Sequence, residues 1–103
     1  MKTLEFINKA FDYVDYIGIQ REGFLSEKEE TSLCLYGLTL DDKKGNSTVD
    51  GDEYSCYAKI NLEKKNDYIV FASNMMDDER PESHIELLDE FCGDYARTPV
   101  EER

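Results

Sequence analysis

The chain has 103 residues, and its 24 acids against 12 bases leave a formal net charge of −12 at pH 7. That length holds one core burying roughly two-thirds of the unfolded surface, which excludes a multidomain enzyme with its own cofactor domain. The charge makes nucleic acid and anionic membrane poor direct partners and a basic protein the expected one.

The content of 40% hydrophobic and 12% aromatic residues supports folding in spite of the charge. No run reaches the roughly 18 apolar residues of a membrane span, and charge interrupts the stretch from Met1 to Glu5 where a secretory leader would need an apolar block. Cys34, Cys56 and Cys92 show no C-x-x-C spacing and cannot all pair within one chain, which fits a reducing compartment. The expected address is the cytoplasm, of a bacterium or of the host cell if the protein is phage-encoded.

From Thr3 to Ile17, Leu4, Ile7, Phe11 and Val14 recur at helical spacing, joined by Ala10 and Ile17, with polar residues opposite. This pattern predicts an amphipathic helix with Thr3 as its cap and Gly18 just past its end. Ile19 to Glu30 loses the pattern; Ser26 with Glu29 has capping-box form, but no apolar helical run follows, so a loop or short turn is expected. Thr31 to Leu40 reads as a central strand, with Cys34, Tyr36, Leu38 and Leu40 on one face and Leu33, Leu35, Gly37 and Thr39 on the other.

Asp41 to Gly51 carries the turn formers Gly45-Asn46 and Asp50-Gly51 and predicts a long hairpin connection. Glu53 to Leu62 alternates: Tyr54, Cys56, Ala58, Ile60 and Leu62 on a buried face, Ser55, Tyr57, Lys59 and Asn61 on an open one. Tyr68 to Ser73 completes a three-stranded antiparallel meander. Pro81, a capping-box pair Ser83 and Glu86, and the apolar set Ile85, Leu87, Leu88, Phe91 and Cys92 predict a second helix from about Pro81 to Cys92, ending at Gly93.

The order helix, three strands, helix predicts an α+β two-layer sandwich with both helices on one sheet face. A single domain spans 1–93, and 94–103 reads as a flexible acidic or polar tail. The opposite sheet face would be open, with Tyr57 as its aromatic anchor.

Chemistry-bearing patterns are sparse. His84, the single histidine, lies in a first helical turn and reads as an ordinary surface residue. The scattered thiols read as small buried hydrophobes with no metal site among them. Asn46 to Gly51 has an EF-hand-like glycine at its sixth position, but the twelfth position is Tyr57 where calcium needs a bidentate Glu, so a hairpin is expected. No phosphate loop, G-x-S-x-G or basic stripe is present. The expectation is a non-enzymatic protein without a cofactor.

The charge is unevenly placed. Asp77 to Asp94 holds eight acids against Arg80 alone, hence 7 of the 12 excess negative charges. Asp77, Asp78, Glu79 and Glu82 have a helix-dipole explanation. Glu82, Glu86 and Glu90 form a like-charge ladder that costs a few tenths of a kcal/mol per pair, and Asp94 sits at the wrong end of the dipole. The ladder spaces carboxylates about 6 Å apart, the same order as successive phosphates on a nucleic-acid strand.

The expected partner-binding residues are therefore Glu82, Glu86, Asp89, Glu90, Asp94 and Tyr57. The expected function is inhibition of a basic nuclease or other nucleic-acid-binding protein by occupying its active or binding surface, with the chain acting as a monomer or homodimer. An immunity protein against a toxin nuclease and a phage anti-defence or anti-CRISPR nucleic-acid mimic share this physics. The alternatives are a dimeric secretion chaperone or adaptor that presents the two-sided strand Thr31 to Leu40 to a client, and a domain whose acidity serves solubility alone.

Overall fold

A computed structural model of the chain describes residues 1–22, 30–38, 47–49 and 52–103. The predicted capping box at Ser26 and Glu29, and Asn46, Asp50 and Gly51 of the calcium-like loop, lie outside the described residues. The elements are α1 (Thr3–Ala10), β1 (Tyr16–Glu22), β2 (Glu30–Leu38), β3 (Ser47–Val49), β4 (Asp52–Asn61), β5 (Tyr68–Val70), α2 (Ala72–Asp77) and α3 (Glu82–Arg97), followed by a 3₁₀ turn at Val100–Glu102. The fold is α+β, with an antiparallel sheet four strands wide in the order β1-β2-β4-β3; β5 takes over from β3 further along β4.

The first helix is shorter than its apolar spacing predicted. Thr3 does not cap it: no side chain bonds to its first turn, and the Thr3 hydroxyl pairs instead with the Tyr95 hydroxyl at 2.6 Å. Leu4 and Phe11 of the predicted stripe are 70% and 51% exposed, whereas Ala10, within it, and Phe6, one turn away and outside it, are fully buried. Phe6 stacks on Tyr95 with ring centroids 4.5 Å apart, and that contact sets which face of α1 turns inward. Tyr16 to Glu22, expected as helix end and loop, pairs residue for residue with β2, from Tyr16 opposite Tyr36 to Glu22 opposite Glu30. Ladder pairing satisfies the backbone groups as well as a longer helix would, and Tyr16, Ile17 and Ile19 suit a strand. Gly18 is a strand residue, not a helix cap.

The expected pairings of the second and third predicted strands hold as β2 against β4 and β4 against β5. The facing within β4 does not follow simple alternation. Leu35 pairs with Ala58 and Tyr36 with Cys56, so Tyr57 is an extra residue, a β-bulge. A bulge shifts the period of two by one residue. Ala58 and Ile60 share the main core with Leu33, Leu35, Phe6, Met75, Leu88, Cys92 and Tyr95, while Cys56 joins Cys34 and Tyr36 in a second cluster on the opposite face.

The bulge also corrects the reading of Tyr57, which is fully buried in the main core and not on an open face. Its ring lies over Gly37, where a Cβ atom would come within 2.0 Å of ring carbons. Asn61, predicted on the same open face, is 6% exposed and hydrogen-bonded to Glu30 and Asp67.

The third predicted strand stops at Val70, and Ala72–Asp77 forms the helix α2, whose Met75 enters the core. The second predicted helix begins as expected after Pro81 but continues four residues beyond Gly93, to Arg97. Gly93 is mid-helix, buried where a Cβ would sit 3.1 Å from the Tyr68 hydroxyl, so it admits β5 to the helix and does not cap it. No side-chain cap bond forms at the start of α3, so Ser83 does not act in a capping box. The buried positions Leu88, Cys92, Tyr95 and Ala96 follow one helical stripe.

The residues read as a tail are bonded to the domain. Asp94 to Arg97 complete α3, and the Arg103 guanidinium donates to the carbonyl oxygens of Asn61, Ala96, Thr98 and Lys64 at 2.8–3.2 Å. The same group lies 4.9 Å from the Tyr95 ring centroid, a cation–π contact.

Candidate functional site

Two groups of acids separate within Asp77 to Asp94. The first, at the end of α2, sends one member inward, Asp78, while Asp77 and Glu79 stay exposed. Asp78 closes that helix, Glu79 takes a left-handed φ of 58°, and the amides of Glu79 and Arg80 donate back to the carbonyls of Met76 and Met75. This is the Schellman geometry, reached here without the usual glycine. It corrects the helix-dipole account of these acids: Asp77 and Asp78 terminate α2 and do not precede α3, leaving Glu82 as the acid in the first turn of α3.

The turn aims Arg80 back across the sheet. The Tyr57 hydroxyl donates to Asp78 Oδ2 at 2.7 Å and accepts from Arg80 Nε at 3.0 Å. Arg80 Nη2 reaches Asp15 Oδ2 at 2.6 Å, and that oxygen also receives the Leu38 amide at 2.7 Å. Asp78 is 6% exposed, so the phenol satisfies a carboxylate withdrawn from water, and the arginine in turn holds the phenol oxygen. Burial first, and then the hydrogen bond to Asp78, push the Tyr57 phenol well above its ordinary range. It is a neutral donor at physiological pH and no candidate for an ionised nucleophile.

The second group turns outward. Glu82, Glu86, Glu90 and Asp94 follow one another at four-residue spacing along α3, Asp89 lies beside Glu86, and all five are exposed. Asp94 lies in the last turn and forms an ion pair with Arg97. That neighbour answers both its charge and its position at the negative end of the helix. Glu82, Glu86, Asp89 and Glu90 have no hydrogen-bond or ion-pair partner among the described residues. The structure thus brings five of the six predicted residues onto one helix and removes Tyr57 to the core.

The remaining sequence candidates fall elsewhere. His84 is half-buried and not an ordinary surface residue; its ring meets Tyr13 edge-on at 5.2 Å, and its Nδ1 is buried without a hydrogen-bond partner. All three cysteines are buried, Cys34 and Cys56 in the cluster opposite the helices and Cys92 beneath α3. Burial, reinforced by Asp89, pushes the Cys92 thiol up to about 12, which makes it unreactive at neutral pH. Among the described residues no helix is long and apolar enough to cross a membrane.

Sequence reasoning missed Arg80, Asp15 and Asp78 as a unit. Asp15 lies far from the other two in the chain, and the left-handed turn between Asp78 and Arg80 carries Glu79 where a glycine would have announced it. Comparison with protein-family models, with curated proteins and with solved structures finds no match.

Proposed function

We propose that this protein is a small non-enzymatic inhibitor that uses the outer face of α3 to occupy the basic active or binding surface of a nucleic-acid-acting protein in the cytoplasm. The observation that carries this reading is the contrast within one segment. Its one base, Arg80, is spent on Asp15 and Tyr57, while Glu82, Glu86, Asp89 and Glu90 stand exposed and without a partner among the described residues. Carboxylates repeating at about 6 Å along a rigid helix suit a cleft that accepts a phosphate backbone. Their field also steers a basic partner to rapid, salt-sensitive association.

Immunity to a toxin nuclease and phage anti-defence or anti-CRISPR activity are two settings for the same surface. The chaperone alternative needs β2 as an apolar platform, and β2 is buried from Leu33 to Gly37 between its neighbours, which removes the support it had.

The test is capture with the full chain from lysates of its source cells at low and high salt, with the double charge reversal Glu86→Lys and Glu90→Lys as the control. The expected result is a basic nucleic-acid-acting protein that is lost at high salt and lost with the variant, and whose activity on nucleic acid the wild type inhibits. Partners retained equally by the variant would overturn the acidic-face reading.

A further inference from the structure

A cleft of about 570 Å³ lies between α2 and α3, lined by Ala72, Met76, Arg80, Glu82, Ile85 and Glu86. Its walls combine two kinds of chemistry. Ala72, Met76 and Ile85 offer an apolar surface, and Met76 is 66% exposed. Methionine adapts its shape to varied apolar partners. Glu82 and Glu86, one helical turn apart on α3, add two exposed carboxylates with no partner among the described residues. The one cation of the lining, Arg80, has its guanidinium held by Asp15 and Tyr57, so its charge is already answered.

We infer that this cleft seats an apolar side chain of the partner, presented on a segment with lysine or arginine on either side of it. The inference rests on the acidic-face reading and adds an anchor to it. Charge alone recognises any basic surface, whereas an apolar side chain seated between α2 and α3 fixes register along the ladder and selects among basic partners. Charge complementarity chooses the occupant. A phosphate backbone is repelled by Glu82 and Glu86, and a second copy of this chain would bring the same carboxylates and a net charge of −12 against its own. A basic segment with an apolar centre matches both the walls and the rim.

The experiment measures binding of the full chain to two fluorescent synthetic peptides at low and physiological salt. One has the core Arg-Lys-Leu-Lys-Arg, and the other replaces leucine by serine. The leucine peptide is expected to bind about tenfold tighter or more, the factor given by burying one aliphatic side chain, and only it should shift the methyl resonances of Ala72, Met76 and Ile85. Met76→Asp, at an exposed position compatible with folding, should erase the preference, and Glu82→Gln with Glu86→Gln should weaken both peptides.

Equal affinity for the two peptides, or a preference that survives Met76→Asp, would overturn the cleft. If both bind equally and salt weakens both, the acidic face stands while the anchor falls. If binding of both ignores salt, or neither binds, the acidic-face reading falls and the anchor with it.

Discussion

The network of Tyr57, Asp78, Arg80 and Asp15 and the outward ladder of Glu82, Glu86, Asp89 and Glu90 meet within one segment, where Asp78 and Arg80 lie a few residues before Glu82, and treat charge in opposite ways. In the network each carboxylate has a donor, from a phenol, a guanidinium or the Leu38 amide, and Asp78 is almost closed to water. In the ladder the carboxylates are exposed and meet no base among the described residues. A buried carboxylate without partners would cost several kcal/mol, whereas an exposed one costs tenths. Physical necessity therefore explains the donor at Asp78 and leaves the ladder unexplained. Net charge by itself could not make that distinction, because Asp78 and Glu82 count alike in it.

The largest expected effect strikes the network. Tyr57→Phe keeps the ring that covers Gly37 but removes the hydroxyl that donates to Asp78 and accepts from Arg80. Leaving a buried charged acceptor short of a donor should lower stability by about 2–3 kcal/mol in urea unfolding. Binding through the ladder should be unchanged, because Tyr57 is fully buried. A loss below about 0.5 kcal/mol would mean that the network is ornamental; a loss of binding at full stability would mean that the two regions are not separate.

An intermediate effect joins the two faces of α3. Cys92 lies fully buried beneath the helix, its thiol pushed up to about 12 by burial and then by the outer-face residue Asp89. Because the folded-state value is raised, the folded chain keeps this proton at a pH where the unfolded chain has lost it. Stability is then complete below the ordinary thiol value and falls as pH rises above about 8.5. The loss from Cys92 should reach about 2 kcal/mol by pH 10. Urea midpoints at pH 7 and pH 10 measure the slope, and Cys92→Ala should remove this part of it. An unchanged slope in the variant would place the alkaline sensitivity in another group.

The α+β class and the pairing of β2 with β4 and of β4 with β5 were legible because apolar residues recur at strand spacing and turn formers separate them. Three local events were not. The bulge at Tyr57 leaves alternation intact on paper while reversing the faces on either side, and its enabling residue, Gly37, lies on another strand. The left-handed turn at Glu79 has no glycine to mark it. Gly93 looks like a helix end until Tyr68, from β5, is found packed against it. At the bulge and at Gly93 the deciding contact is made by a residue distant in sequence, where periodicity carries no information. The ladder was legible for the opposite reason: exposed residues on one helix need only helical spacing to be brought together. Tyr57 was misplaced with its strand face, and the whole network went unseen with it.

The smallest expected effect bears on why the ladder is there. Glu86→Gln with Glu90→Gln removes two like charges that lie beyond the first turn of α3, where the helix dipole no longer rewards them. If the ladder has no partner inside the molecule, this change should raise stability by a few tenths of a kcal/mol at low salt. Added salt should narrow the gap, because it screens the repulsion in the wild type. Thermal melts of both proteins at two ionic strengths measure it. A variant less stable than wild type by more than about 0.5 kcal/mol would mean that these carboxylates serve the fold and would return them to the same class as Asp78. A stabilised variant that no longer binds its partner would separate the two uses of acid in this segment: repulsion along α3 is then a cost to folding that recognition requires.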